Sequence, residues 1–181
     1  LLQQLDRGLD PLKWARVTSR LLVFHFSEKR MASHQRMLRA LVETYREHGE
    51  PWEMCMNAMQ LGLYAAVSGD FRELAQLSQQ IGEVATMTGD GSQRAVSLHF
   101  AVVASGGRVS WQALESLDEV AVKGFGLANR AVAQAHYHLR QGQPEAALKL
   151  LRSFTSYNPI DGSMVRSLHC TAARRAAEKT P

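Results

Sequence analysis

Three glycines keep a regular interval in this chain, and that interval limits the folds open to it more than any other feature. Gly69, Gly106 and Gly142 follow one another at steps of 37 and 36 residues. A recurrence of this kind is structural only if other positions keep the same step. Eleven residues before each glycine stand Ala58, Ala95 and Ala131, and eight residues after stand Leu77, Leu114 and Leu150. Seven before stand Gly62, His99 and Ala135, where His99 departs from the small-residue rule. Small residues let two antiparallel helices approach, and a leucine at a fixed offset fills the seam to the next pair. A second series, Glu47-His48-Gly49-Glu50-Pro51 and Met87-Thr88-Gly89-Asp90-Gly91, repeats at a step of 40. Two series at similar steps predict helix pairs stacked on their neighbours.

The local signals agree on helices. Ala, Leu, Gln, Arg, Glu and Met, all good helix formers, dominate the sequence. Asp10-Pro11 sets a capping side chain before a proline at the first helical position, and Pro51 and Pro144 repeat the device. Gly49, Gly69, Gly89, Gly106-Gly107, Gly124 and Gly142 stand where the apolar period lapses, as helix-ending glycines do. These marks predict helices near 12–26, 30–48, 52–68, 71–87, 92–105, 110–123, 127–141, 144–156 and 162–178. Leu74, Leu77, Ile81 and Val84 fall at three- and four-residue steps, the period of a helix face. Phe100-Ala101-Val102-Val103-Ala104 is rich enough in valine to suggest a strand, but its flanks are helical in period. The fold class read from this is all-α.

Ala58-x-x-Leu61-Gly62 followed by Gly69-Asp70-Phe71 resembles a tetratricopeptide repeat. So does Ala131 through Ala135 followed by Gly142-Gln143-Pro144-Glu145-Ala146-Ala147. The longer step and the turns Gly49-Glu50-Pro51-Trp52 and Thr88-Gly89-Asp90-Gly91 are similar to the degenerate repeats of large bacterial signalling proteins. Those include LuxR-type and SARP-type regulators with a STAND-class ATPase and some ATPase-linked nucleotide cyclases. Residues 12–48 resemble the opening pair of such arrays, with Trp14, Leu21, Leu22 and Phe24 on the first helix and Leu38, Leu41 and Tyr45 on the second. The resemblance covers about residues 12–157. It implies a right-handed α-solenoid and a single domain over 1–181. Pairs would lie near 12–48, 52–87, 92–123 and 127–156, with a terminal helix at 162–178. Two departures stand out. Ala58 and Ala95 replace the large aromatic of the usual first helix, and the turn Ser105-Gly106-Gly107-Arg108-Val109-Ser110 is irregular.

With 181 residues, 45% apolar and 21% charged, the chain is too apolar for a disordered one and needs no disulfide or metal as a staple. Cys55 and Cys170 are too few for a disulfide framework. No run approaches the ~18 apolar residues of a membrane span. The start, Leu1-Leu2-Gln3-Gln4-Leu5-Asp6, lacks a basic segment ahead of an apolar one, so the expected location is the cytoplasm. Without an initiator Met, the chain reads as a piece of a longer protein. The net charge of +4 is spread thinly: residues 1–50 carry 9 basic and 6 acidic groups, 51–161 carry 8 and 10, and 162–181 carry 4 and 1. Nucleic acid needs a concentrated basic stripe, which this is not. Arg166, Arg174, Arg175 and Lys179 fall in the last predicted helix, where cations complement the helix dipole.

No motif carries catalytic chemistry. His136 and His138 are two apart and point to different faces of a helix, and neither His-x-x-x-His nor Cys-x-x-Cys occurs. His25, His99 and His169 read as packed or half-exposed helix positions. Thr88-Gly89-Asp90-Gly91-Ser92 lacks the Gly-Lys-Ser/Thr ending of a phosphate loop, and Asp90 or Ser92 capping a helix accounts for it. Gly124-Phe125-Gly126 reads as a helix stop with an aromatic anchor. No Gly-x-Ser-x-Gly is present, and Cys55, among Met54, Met56 and Met59, reads as a buried inert thiol. Asp118-Glu119, adjacent in sequence, diverge around a helix. The chain is therefore read as neither an enzyme nor a holder of metal or cofactor.

Function is then expected on the concave side that the first helix of each pair would line. Counting back from each turn glycine gives Met56, Met59, Leu63 and Val67 in the second pair. The third gives Gln93, Val96, Phe100 and Ala104, and the fourth Asn129, Val132, His136 and Arg140. Such a groove grades from apolar and methionine-rich to polar and cationic, with His136 and Arg140 as anchors for a carboxylate or peptide backbone. The partner would be a protein, a peptide or an adjacent domain of the same chain, with a homodimer allowed and no membrane involved. The alternatives are a structural reading, in which these side chains are interior, a stand-alone adaptor or chaperone for an unfolded peptide, and a helical enzyme with an unseen site.

Overall fold

The computed structural model describes residues 10–23, 31–117, 122–152 and 159–178. Among them stand nine helices and no strand: α1 (Pro11–Val23), α2 (Met31–Glu47), α3 (Pro51–Ser68), α4 (Phe71–Thr88), α5 (Gly91–Ala104), α6 (Trp111–Glu115), α7 (Phe125–Arg140), α8 (Pro144–Arg152) and α9 (Pro159–Ala177). The chain is all-α. It divides into two compact units, Leu1–Asp70 and Phe71–Pro181. The two helices expected to pair over 52–87 thus belong to different units.

The helix boundaries follow the punctuation of the sequence. Asp10 accepts from the Lys13 N–H at 2.9 Å ahead of Pro11, and Asp90 accepts from the N–H groups of Ser92 and Gln93 at 2.8 and 3.1 Å. Each such cap stabilises by about 1 kcal/mol. The seven glycines marked as breakers all have positive φ. One of them has a different task from the one expected: Gly124 is the N-cap of α7, so Gly124-Phe125-Gly126 starts a helix. The helix expected over 110–123 is α6, five residues long, capped by Ser110 and followed by a turn at 116–117. Asp118-Glu119, Phe24 and His25 lie outside the described residues.

In the first unit α2 packs on α1 and on α3. Its core is Ala15, Leu22, Leu38, Leu41, Tyr45, Cys55, Ala58, Leu61 and Ala65. The side chain of Arg16 pairs with Glu50 at the start of α3 at 2.9 Å, an exposed contact of small energetic weight.

In the second unit α4 and α5 form an antiparallel hairpin, and α5 packs on α7. The hairpin is closed by reciprocal bonds, Ser78 Oγ to the Ser97 carbonyl and Ser97 Oγ to the Ser78 carbonyl, both 2.8 Å. Gly82 makes this approach possible, because a Cβ there would lie 2.7 Å from Ser97 Oγ. Helices α5 and α7 run side by side in the same direction. Ser92 meets Gly126 and Lys123 near their starts, and Gly106 meets Arg140 at their ends. Helices α7, α8 and α9 share a core of Val132, Ala135, Leu139, Ala147, Leu148, Leu151, Leu168 and Ala172. Each of its leucines stabilises by about 2 kcal/mol.

Candidate functional site

The residues expected to line a groove divide sharply by unit. On α3, Met56, Met59 and Leu63 are half-buried and Val67 is 77% exposed. With Trp52, 53% exposed, they form one stripe along the helix, while Cys55, Ala58, Leu61 and Ala65 occupy its core side. The stripe is apolar and partly open.

On α5 and α7 the expectation of an accessible surface is corrected. Gln93, Val96, Phe100, Asn129 and Val132 are all buried, Phe100 to 1% exposure. The physical reason is that α5 is covered by α4 on one side and α7 on another, so positions aligned with the turn glycines fall inside the unit. Ala104 and His136 are half-buried, and Arg140 is exposed.

Arg140 also has a different task from that of a ligand anchor. Its Nη1 donates to the Gly106 carbonyl at 2.7 Å, closing the C-terminal end of α5, where carbonyls have no helical partner. Its stem lies against Gly107, where a Cβ would come within 2.6 Å of Arg140 Cδ at a φ of +85°. Glycine is required at 107 for both reasons. Arg175 repeats the device on α9, donating to the Leu139 carbonyl of α7 at 3.1 Å.

The enclosed polar residues form a pattern that counting from the glycines missed in part. Asn57, Gln93 and Asn129 stand at steps of 36 and are all buried. Asn57 Nδ2 donates to the Glu53 carbonyl at 2.8 Å, and Asn129 Nδ2 donates to the Phe125 carbonyl at the same distance. Each carboxamide then presents its oxygen to another helix. Asn57 Oδ1 accepts from Ser19 Oγ of α1 at 3.1 Å, and Asn129 Oδ1 lies 2.6 Å from His99 Nδ1 of α5. The Gln93 oxygen is buried without a donor among the described residues. The sequence signal was available, because buried polar groups seek partners and three carboxamides at one step mark one position of a repeat. Asn57 falls outside the count from the turn glycines because it stands twelve residues before its glycine while the other two stand thirteen.

His99 is the centre of the cluster. Its ring is 4% exposed, with the His136 ring 6.4 Å away at 25° and Phe100 at 5.6 Å. Burial pushes His99 down to about 4 from 6.5 against the opposing effect of the Asn129 bond, and burial lowers His136 as well. His138 has separate surroundings, its ring tilted at 54° against Trp111 with centroids 4.9 Å apart and its Nδ1 bonded to Gln143 Oε1 at 2.9 Å. In the first unit His34 Nδ1 meets the Tyr64 hydroxyl at 3.1 Å. Cys55 is buried and Cys170 exposed, and neither takes part in a disulfide.

Among the described residues no group of three or more His, Cys, Asp or Glu side chains converges on a metal position. No described helix is long and apolar enough to cross a membrane. No family model, curated protein or solved structure matches the chain.

Proposed function

We propose that the chain is a tetratricopeptide-like, right-handed α-solenoid segment. Its role is that of a non-catalytic protein-interaction or sensor module in a cytoplasmic bacterial signalling or transcriptional regulator. The observation that carries this reading is the parallel packing of α5 and α7. Their contacts, Ser92 with Gly126 and Gly106 with Arg140, are each 34 residues apart in sequence. Stacked helix pairs place the first helices of successive pairs side by side and parallel, whereas an up-down bundle with short loops makes its neighbours antiparallel. The Arg175 contact to Leu139, 36 residues away, supports a similar step between α7 and α9.

The docking surface in this reading is the α3 stripe, with Met56, Met59 and Leu63 receiving apolar side chains of a peptide or neighbouring domain. Methionine suits this use because its flexible, polarisable side chain adapts to partner shape. The test is retention of proteins by the purified chain beside a Met56→Glu, Met59→Glu variant of unchanged helicity. A partner kept by the parent and lost by the variant supports docking on α3. Equal retention by both removes that surface from the proposal.

A further inference from the structure

We propose that the seam between α5 and α7 is a proton-operated joint, closed while His99 is neutral and loosened when His99 gains a proton. Asn129 uses its amino group on the Phe125 carbonyl, so the atom it offers His99 is an acceptor. The Nδ1 of His99 therefore carries the hydrogen and donates it, and an incoming proton adds at Nε2. That proton makes the enclosed ring a cation.

Among the described residues no anion acts on it. Helix α5 packs on α4 and α7. From α7, His136 faces the ring as a second base, which carries like charge when protonated. Tyr137 and His138 turn to Trp111, and Arg140 turns to Gly106. Arg94 on α5 reaches Ser116, and on α4 Arg72 and Glu83 are exposed. Glu73 on α4 and Arg130 on α7 are half-buried, and the neighbouring charge acting on His99 is that of His136. At the start of the seam the two helices are in close contact, since a Cβ at Gly126 would lie 2.7 Å from Ser92 Cα.

The direction follows from linkage. The closed state holds His99 at about 4, below the ordinary 6.5, so the open state binds more protons. The contribution to closure is complete above pH 6.5 and is lost as pH falls from 6.5 through 4. Between pH 7.5 and 5.0 this raises the opening equilibrium about 30-fold, and His136 adds in the same direction.

Amide hydrogen exchange of α7 in the full chain, corrected for intrinsic rates, reads the effect at these two pH values. The expected result is a rise of about 30-fold or more in opening for the parent and a much smaller rise for His99→Gln, in which only His136 still titrates in the seam. Asn129→Asp places a carboxylate against Nδ1 and is expected to reverse the sign, so that opening falls on acidification. Equal rises in the parent and His99→Gln overturn the proposal. If His99→Gln does not fold, the ring proton resonance of His99 in the parent decides. A shift constant down to pH 5 supports the joint, and a titration midpoint near 6.5 overturns it.

Discussion

Asn57 in the first unit and Asn129 in the second hold the same position of the 36-residue step, each with its amino group on the carbonyl four residues back. They differ in what meets the oxygen: a half-buried serine hydroxyl at Asn57 and an enclosed imidazole at Asn129. The repeat supplies the carboxamide and its orientation, and the neighbouring helix decides what the contact responds to. A hydroxyl leaves the first unit's contact insensitive to pH near neutrality. An imidazole ties the second unit's contact to proton concentration.

The same contrast runs through the apolar residues, and it can be broken most forcefully there. Phe100→Ala, in the enclosed set, is expected to cost about 3–5 kcal/mol in denaturant unfolding, while Met59→Ala on the half-open α3 stripe costs about 1 kcal/mol. Comparable losses at the two positions would mean that the α3 stripe is as interior as α5. Gly126→Ala presses a methyl onto the backbone of Ser92 and is expected to cost about 1–3 kcal/mol by thermal or denaturant melting. The matched pair Asn129→Ala and Asn57→Ala sharpens the comparison of partners. At pH 7.5 the first is expected to cost about 2–3 kcal/mol, because it strands a buried imidazole donor. The second is expected to cost about 1 kcal/mol, since Ser19 can turn to water. The smallest effect is expected from Arg140→Met, which removes an exposed cap from the end of α5 and lowers stability by about 0.5–1 kcal/mol. Faster amide exchange in 101–107 would be its local signature.

Elements whose cause is local were legible in the sequence. Six of the seven glycines, the aspartates at 10 and 90 and the prolines at 11, 51 and 144 announce themselves through backbone geometry or a missing N–H, while Gly124 starts a helix where it was expected to end one. What failed depends on neighbours distant in sequence. A helical period reveals that 93, 96 and 100 share a face, yet not whether another helix covers it, and α7 does so from 34 residues away. The brevity of α6 was hidden for a similar reason. Residues 110–123 have the composition of a longer helix, but Leu114 and Trp111 pack with Val102, Ala133 and Tyr137 around a five-residue turn. Arg140 looked like a free cation because its partner is a backbone carbonyl, which no residue pattern advertises. His99 was visible as the irregular member of a small-residue series, and that irregularity proved to mark the centre of the polar cluster.

The reciprocal bonds of Ser78 and Ser97 across Gly82 carry a consequence for how this sequence can drift. Each hydroxyl satisfies the other helix's carbonyl, and the missing methyl at 82 sets the distance at which both can do so. A change at any one of the three alters the worth of the other two, so their effects are non-additive. A lineage leaving this arrangement must cross a less stable intermediate or exchange the three together for an apolar contact at wider helix spacing. Positions 78, 82 and 97 thus form a single heritable unit, although nineteen residues separate its ends.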